Sequence, residues 1–318
     1  MTAAFGVAIL TAIVFFAIFA RSPDLTVLCS NNRESCIAVV EDFNQSRGYR
    51  VKLLRVSTSQ ALDRLRGGTQ EFDVWIGGPT SAYATAEREG FLEPSGLEVK
   101  TRSASMTSGA WFEIYGGILS LCVADGIEID SWDELTNPDF RIVAPSPLTS
   151  GTAGTFLSFQ HLRLGNNVTP YLRQLHTNLV TYTDSGIAPA HIVAIGHADV
   201  GITFAPYCER LRADGAKVHT VFPKEGTDYE VGGAALLHGA RNREIGIEFL
   251  EYVTSEEGQR IGARAGHQVP IISSEGHTLD DQLSELEVPL LRTDPRLLAE
   301  ILPGLVDAWR REVYHARS

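Results

Sequence analysis

The feature that most constrains this chain is an alternation. Short apolar, β-branched runs are followed by amphipathic stretches that open on Ser, Thr, Asn or Pro. "DLTVLC" reads as a strand, and "RESCIAVVEDFNQSRG" as a helix with Cys36, Ile37, Val40 and Phe43 on one face and a stop at Gly48. The strand "YRVKLLRV" precedes the capped helix "STSQALDRLRGG", which turns Ala61, Leu62 and Leu65 inward. "FDVWIGG" then precedes "PTSAYATAEREG". Strand then helix, repeated, predicts a parallel sheet covered by helices on both faces.

The rhythm breaks at "WFEIYGGILSLCVAD", Trp111 to Asp125, which is long for one strand and carries Gly116 and Gly117 at its middle. We read it as a crossing between two lobes. A second set follows: a helix from "SWDEL" at a Ser cap, the strand "RIVAPS", the helix "GTAGTFLSFQHLRLG", the strand "NLVTYT", the helix "SGIAPAHIVAIGHA", the strand "DVGITF", the helix "PYCERLRADG" and the strand "KVHTVFP". "YEVGGAALLHGA", with Gly232 and Gly233, reads as the return crossing, and "REIGIEFLEYVTSEEGQRIGARAG" as a long amphipathic helical region. The expected layout is a first lobe over 24–117, a second over 118–232, and a return with C-terminal helices over 233–318. Two lobes joined by two crossings make a cleft with a hinge.

Residues 1–23 form a separate segment. Thr2 to Ala20 carries no charge and is long enough to cross a bilayer as a helix. It reads as a signal peptide or an uncleaved anchor, without a small-residue cleavage site near Ala20, and either reading places the remainder outside the cytoplasm. That compartment favours disulfides. Cys29 and Cys36, in "CSNNRESC", are close enough to bridge if the loop curls back. Cys122 and Cys208 are open to a second bridge or to the more ordinary state of two buried thiols, which is the expectation here. With no C-x-x-C and no His at zinc spacing, metal ligation by cysteine is not expected.

The net charge is −12 and no basic run is present, which argues against a nucleic-acid partner. It does not argue against an anionic ligand, which local N–H groups and one or two Arg can hold. Five strand-to-helix junctions share one chemistry of hydroxyls, small residues and exposed N–H groups. They are Ser30 and Asn31; Ser57 and Thr58; Gly78 and Thr80; Ser150, Gly151 and Thr152 in "APSPLTSGTAGTF"; and Ser185 with Gly186. In an open parallel sheet ligands bind at the carboxyl ends of strands, where these junctions lie. A helix N-terminus with free N–H groups is an anion site. One junction alone is an ordinary cap; five facing each other across a cleft make two walls of an anion site. Catalysis has no comparable signature: G-x-S-x-G, H-E-x-x-H and the P-loop pattern are absent, and the nine His are scattered. No catalytic residue, cofactor or metal is expected. Glu225 and Glu230, in "KEGTDYE", read either as a solvated turn or as acceptors for hydroxyls or a cation.

The motifs "CSNNRESC", "STSQALDRLR", "FDVWIGGPT", "SWDELTNPDF", "SGTAGT", "YTDSGIAP", "ADVGITF" and "EGTDYEVGG" occur in an order that resembles the periplasmic substrate-binding proteins of ABC importers, in the branch of ferric-iron, sugar-phosphate and phosphonate binders. The resemblance runs from about Leu25 to Gly276. It implies an α/β, two-lobed periplasmic-binding-protein fold of type II, each lobe a central sheet flanked by helices, with a hinge of two crossing strands. It implies a cleft lined by Ser30, Thr58, Gly78, Ser150, Gly151, Thr152, Ser185 and Glu225, to which Tyr115 and Tyr207 are added, and binding without catalysis. The partners expected are a small anionic solute, phosphorylated or a phosphonate, and an ABC permease; the alternatives are a sensor histidine kinase as partner, or a ferric ion as ligand. The chain departs from the ferric branch in lacking a Tyr-Tyr pair. It departs from the sugar-phosphate branch in having Ala205 and Pro206, then Tyr207, where a His-Asp pair is usual.

Overall fold

A computed structural model describes residues 22–68, 71–99, 109–291 and 293–315. The proposed membrane or signal segment therefore lies outside the described residues. Among the described residues, no helix is long and apolar enough to cross a membrane.

Ten strands form one continuous sheet: β1 Leu25–Cys29, β2 Val51–Arg55, β3 Val74–Pro79, β4 Leu92–Glu93, β5 Phe112–Ala124, β6 Ile142–Pro145, β7 Leu179–Thr183, β8 Val200–Phe204, β9 Val218–Val221 and β10 Tyr229–Leu237. Their order is β2-β1-β3-β10-β5-β8-β6-β7, with β4 on β10 and β9 on β5. Pairing is parallel among β1, β2 and β3 and among β6, β7 and β8. It is antiparallel wherever β5 or β10 takes part. The parallel ladders are the two lobes, and β5 and β10 join them.

The two crossings show why the sequence interrupts them with glycine. β5 is 13 residues long: Phe112 to Ile118 pair with β10, and Leu119 to Ala124 pair with β8 and β9. The glycines lie where the strand passes from one lobe to the other, and close packing accounts for them. A Cβ on Gly116 would lie 2.3 Å from Leu279 Cδ2, and one on Gly117 3.2 Å from the Phe204 side chain. On β10 a Cβ at Gly232 would meet the Tyr115 ring at 2.1 Å. These three glycines let other residues press onto the crossing strands at the cleft floor.

Each lobe has its own core. In the first, β1 sends Leu25, Val27 and Cys29 to one face, with Val40, Phe43 and Phe249. It sends Leu28 to the other face, with Trp75, Tyr83 and Trp111. Phe43 and Phe249 meet edge to face at 4.9 Å, and Trp75 stacks on Tyr83 at 4.3 Å. The second core gathers Leu121, Trp132, Phe156, Phe159, Val200 and Ile202.

Four local expectations change. "SWDEL" forms only a short 3₁₀ turn, Asp133–Thr136, in which the Ser131 hydroxyl accepts from the Asp133 N–H at 3.1 Å and donates to Glu225 Oε1. The long region near residue 250 is two helices, Arg243–Thr254 and Glu256–Gly266, broken at Ser255, whose side chain caps the second. A further helix, Val168–Asn178, buries Tyr171, Leu172 and Leu175 in the second core. Cys122 and Cys208 are bridged, with Cα atoms 5.4 Å apart, and no free cysteine remains among the described residues. The expectation of two free thiols fails because β5 runs beside the Ala205–Ala213 helix, a proximity of residues 86 apart that local pattern does not encode. Cys29 and Cys36 are bridged as expected.

The last helix, Pro295–Trp309, makes a third link between the lobes. It packs against the Thr80–Arg88 helix of the first lobe and the Gly151–Leu164 helix of the second, and Trp309 and Val313 enter the second core.

Candidate binding cleft

The carboxyl ends of β1, β2 and β3 face those of β6, β7 and β8 across a cleft of about 390 Å³. Eleven of the thirteen residues singled out in the sequence line it: Ser30, Asn31, Ser57, Thr58, Gly78, Tyr115, Ser150, Gly151, Thr152, Ser185 and Tyr207. Thr80 and Glu225 do not. Thr80 is buried at the start of its helix. Glu225 accepts hydrogen bonds from the Ser131 hydroxyl and the Trp132 backbone N–H, which ties down the turn in front of the second core.

The first-lobe wall is built tightly. Gly77 and Gly78 both have φ of +79°, a conformation that costs glycine nothing and other residues dearly. A Cβ on Gly77 would lie 2.7 Å from Asn31 Cβ, and one on Gly78 2.7 Å from Thr58 Oγ1. The turn thus brings three junctions together, and the Gly78 N–H donates to Tyr115 Oη at 3.0 Å. The Cys29–Cys36 bridge closes the loop that carries Ser30, Asn31 and Asn32. Asn31 is fully engaged: it exchanges two amide hydrogen bonds with Gln268, at 2.9 and 2.8 Å, and donates to Ser35 Oγ at 3.0 Å. It frames the cleft, as does Ser57, which caps the Thr58–Arg66 helix through Gln60.

The second-lobe wall has free donors. The Gly151–Leu164 helix begins at Ser150, whose side chain makes no cap hydrogen bond. The first helical backbone bond of this turn is Gly154 N–H to Ser150 O, so among the described residues the N–H groups of Gly151 and Thr152 have no partner. The hydroxyls of Thr58, Ser150, Thr152 and Ser185 likewise have none there. An open helix N-terminus combines unpaired donors with the positive end of the helix dipole. Facing it, Arg55 at the end of β2 is the only cationic side chain among the described residues lining the cleft. Its Nε donates to Asn31 O at 3.0 Å, and no carboxylate pairs with it among the described residues.

The floor has a different character. Glu230, on β10, accepts from Thr155 Oγ1 at 3.2 Å, and its burial among protein atoms pushes its carboxyl up to about 8. Burial raises Tyr115 well above its ordinary value and Tyr207 to about 12, so both hydroxyls keep their protons. Tyr207 Oη lies 3.4 Å from both Asn32 Nδ2 and Gln268 Nε2 across the lobes. The lobes also touch directly, since a Cβ on Gly151 would lie 2.8 Å from Pro79 Cδ.

Sequence reasoning passed over Arg55, Asn32, Gln60, Asp184, Phe204 and Gln268, and left Glu230 open between a turn and a ligand contact. Arg55 had a usable signal, because it closes a parallel strand one residue before a hydroxyl-rich junction. Gln268 had none: it follows a helix end and reaches Asn31, 237 residues away.

Residues 25–268 match the family of bacterial extracellular solute-binding proteins. A Haemophilus influenzae protein is 29% identical over 270 residues, 79% of this chain and 78% of its own. Among solved structures, the periplasmic binding protein AfuA of Actinobacillus pleuropneumoniae, with exogenous fructose-6-phosphate bound, superposes with a TM-score of 0.82 at 27% identity, covering 92% of this chain and 99% of that one. The periplasmic binding protein P5PA follows at 0.81 and 26%, covering 91% and 99%.

Proposed function

The chain belongs to the bacterial extracellular solute-binding proteins, and from that premise we propose that it captures a small anionic organic solute, a phosphate ester or phosphonate, in the interlobe cleft and delivers it to an ABC permease. The observation that carries this is the uncapped start of the Gly151–Leu164 helix opposite Arg55. Unpaired N–H groups, four hydroxyls without partners among the described residues and one guanidinium with no carboxylate partner there offer an oxyanion several charge-assisted hydrogen bonds, each contributing ~1.5–3 kcal/mol. Such donors are also the wrong partners for a cation. The remainder of the ligand meets acceptors: Glu230 and Asp184 suit hydroxyl groups. The fructose-6-phosphate complex of AfuA supports the same division into an anionic and a hydroxylated end.

A ferric ion suits the cleft less well, because its unpaired N–H groups and the Arg55 guanidinium repel a cation and, among the described residues, no group of three or more His, Cys, Asp or Glu is placed to hold a metal ion. No observation favours a kinase partner over a permease.

The test is a thermal-shift screen of the purified chain against phosphate monoesters, phosphonates, inorganic phosphate and ferric citrate. A binder at a hundredfold excess over its Kd stabilises by about 2.7 kcal/mol. Ser150→Ala and Arg55→Gln are then titrated by calorimetry with the best compound. A loss of about tenfold or more in each, with normal melting of the free protein, is expected. Melting shifts from ferric citrate alone, or unchanged affinity in both variants, would remove the anion-site reading.

A further inference from the structure

We propose that Glu230 sets the charge the cleft accepts: an ionised Glu230 and the ligand's oxyanion exclude one another at the start of the Gly151–Leu164 helix, so the anion is held with that carboxyl neutral and its capture is linked to a proton taken from solvent. This rests on the anion-site reading above and adds the regulation of that site.

The geometry places the carboxyl beside the donors that make the site. Glu230 Oε2 lies 2.9 Å from the position of a Cβ on Gly151 and 3.2 Å from Thr155 Oγ1, so it runs along the first turn of the helix. An oxyanion hydrogen-bonded to the Gly151 N–H is therefore within about 8 Å of that oxygen. The carboxyl lines the same cleft as Ser150, Gly151 and Thr152, and its Oε1 has no hydrogen-bond partner among the described residues. The positive end of the helix dipole attracts either charge, that of Glu230 or that of the ligand, and the two compete for it. Like charges about 6–8 Å apart in a protein site weaken binding by roughly thirty- to a hundredfold per unit of ligand charge.

The charges of the cleft point the same way. Among the described residues that line it, the charged side chains are Arg55, Asp184 and Glu230. With Glu230 ionised, a site built of anion donors carries a net negative charge; with Glu230 neutral, Arg55 and Asp184 balance. A neutral carboxyl also keeps an accepting oxygen for a ligand hydroxyl and gains an O–H donor. The second-lobe helix faces Glu230 with the uncharged Thr155. β5 faces it with Tyr115 and the Ala205–Ala213 helix with Tyr207, and burial raises both phenols, Tyr115 well above its ordinary value and Tyr207 to about 12. His267, next to Gln268 behind the floor, is held below its ordinary value by burial. Burial of Glu230 itself lifts its carboxyl to about 8, so the empty cleft is neutral there at pH 7.

The experiment is calorimetric titration of the full chain with methyl phosphate from pH 7 to pH 10, a range in which the ester stays a dianion, with a melting curve at each pH. Affinity should hold up to about pH 8 and then fall by up to tenfold per pH unit, about a hundredfold in all by pH 10. At pH 8, buffers of different ionisation enthalpy should report uptake of about half a proton per ligand bound. Glu230→Gln should bind independently of pH over this range. Thr155→Val removes the hydrogen bond that favours the charged carboxyl and should move the fall to higher pH; it carries the test if Glu230→Gln does not fold. Binding with a flat profile in the unaltered chain sinks this proposal and leaves the anion-site reading standing. No binding at any pH sinks both. A fall that persists unchanged in both variants belongs to another group and overturns the proposal.

Discussion

Gly151→Ala is the smallest change that tests whether the lobes must close on one another to hold the ligand. The added Cβ would lie 2.8 Å from Pro79 Cδ, 3.1 Å from Pro79 Cγ and 2.9 Å from Glu230 Oε2. The Glu230 side chain can swing aside, but the proline ring cannot. Ordinary carbon contacts are about 3.5–4.0 Å, so the seam must open by roughly 0.7–1.2 Å. Overpacking of this kind costs about 1–3 kcal/mol, and it falls on the closed state alone, because Pro79 faces Gly151 from the other lobe. Ligand affinity should therefore drop by about 5- to 150-fold. Alanine is also the better helix former, by up to ~1 kcal/mol, in both open and closed states, so the free protein should melt at the same temperature or higher. The assay pairs calorimetric titration, using the tightest compound of the screen, with a melting curve and small-angle scattering of the liganded protein. Affinity within twofold of wild type would show that the Pro79–Gly151 contact plays no part in closure, and the argument would be wrong.

Glu230 should make stability pH-dependent. Its carboxyl moves from 4.5 to about 8 on folding, so between those values the folded chain binds the extra proton and the unfolded chain does not. Its contribution is full below about pH 4.5 and lost by about pH 8, with a slope of up to ~1.4 kcal/mol per pH unit between. In urea titrations across that window, Glu230→Gln should lose this component relative to wild type, and parallel curves for the two proteins would refute it. The two disulfides should differ in weight, since Cys122–Cys208 closes a far longer loop than Cys29–Cys36. Chain-entropy reasoning assigns about 4.5 kcal/mol to the first and about 2.5 kcal/mol to the second. Paired Cys→Ala variants compared by urea unfolding check the order, and a larger loss from the short loop would contradict it.

Much of this protein could be read locally, because its strands and helices follow from short-range chemistry. β1 alternates residues between two cores, the Thr58–Arg66 helix carries its capping box in four consecutive residues, and Gly77–Gly78 marks a turn that only positive φ permits. The long runs at β5 and β10 announced two crossings, and the order of motifs announced two lobes around a cleft. Nine of the eleven cleft residues were legible for the same reason: they sit at the carboxyl ends of parallel strands, a position that chain order alone predicts, whereas Tyr115 lies within the antiparallel crossing β5 and Tyr207 in the helix after β8. What tertiary structure alone decided depends on contacts between distant segments. Glu225 and Glu230 are five residues apart in one motif, yet one secures a turn and the other faces the cleft, because β10 begins between them. The partnership of Asn31 with Gln268, the Cys122–Cys208 bridge and the placement of the last helix across both lobes join residues that no local pattern relates. Periodicity reports which face of an element is apolar. It does not report which other element will cover that face, and the floor and the seam of this cleft are built from those choices.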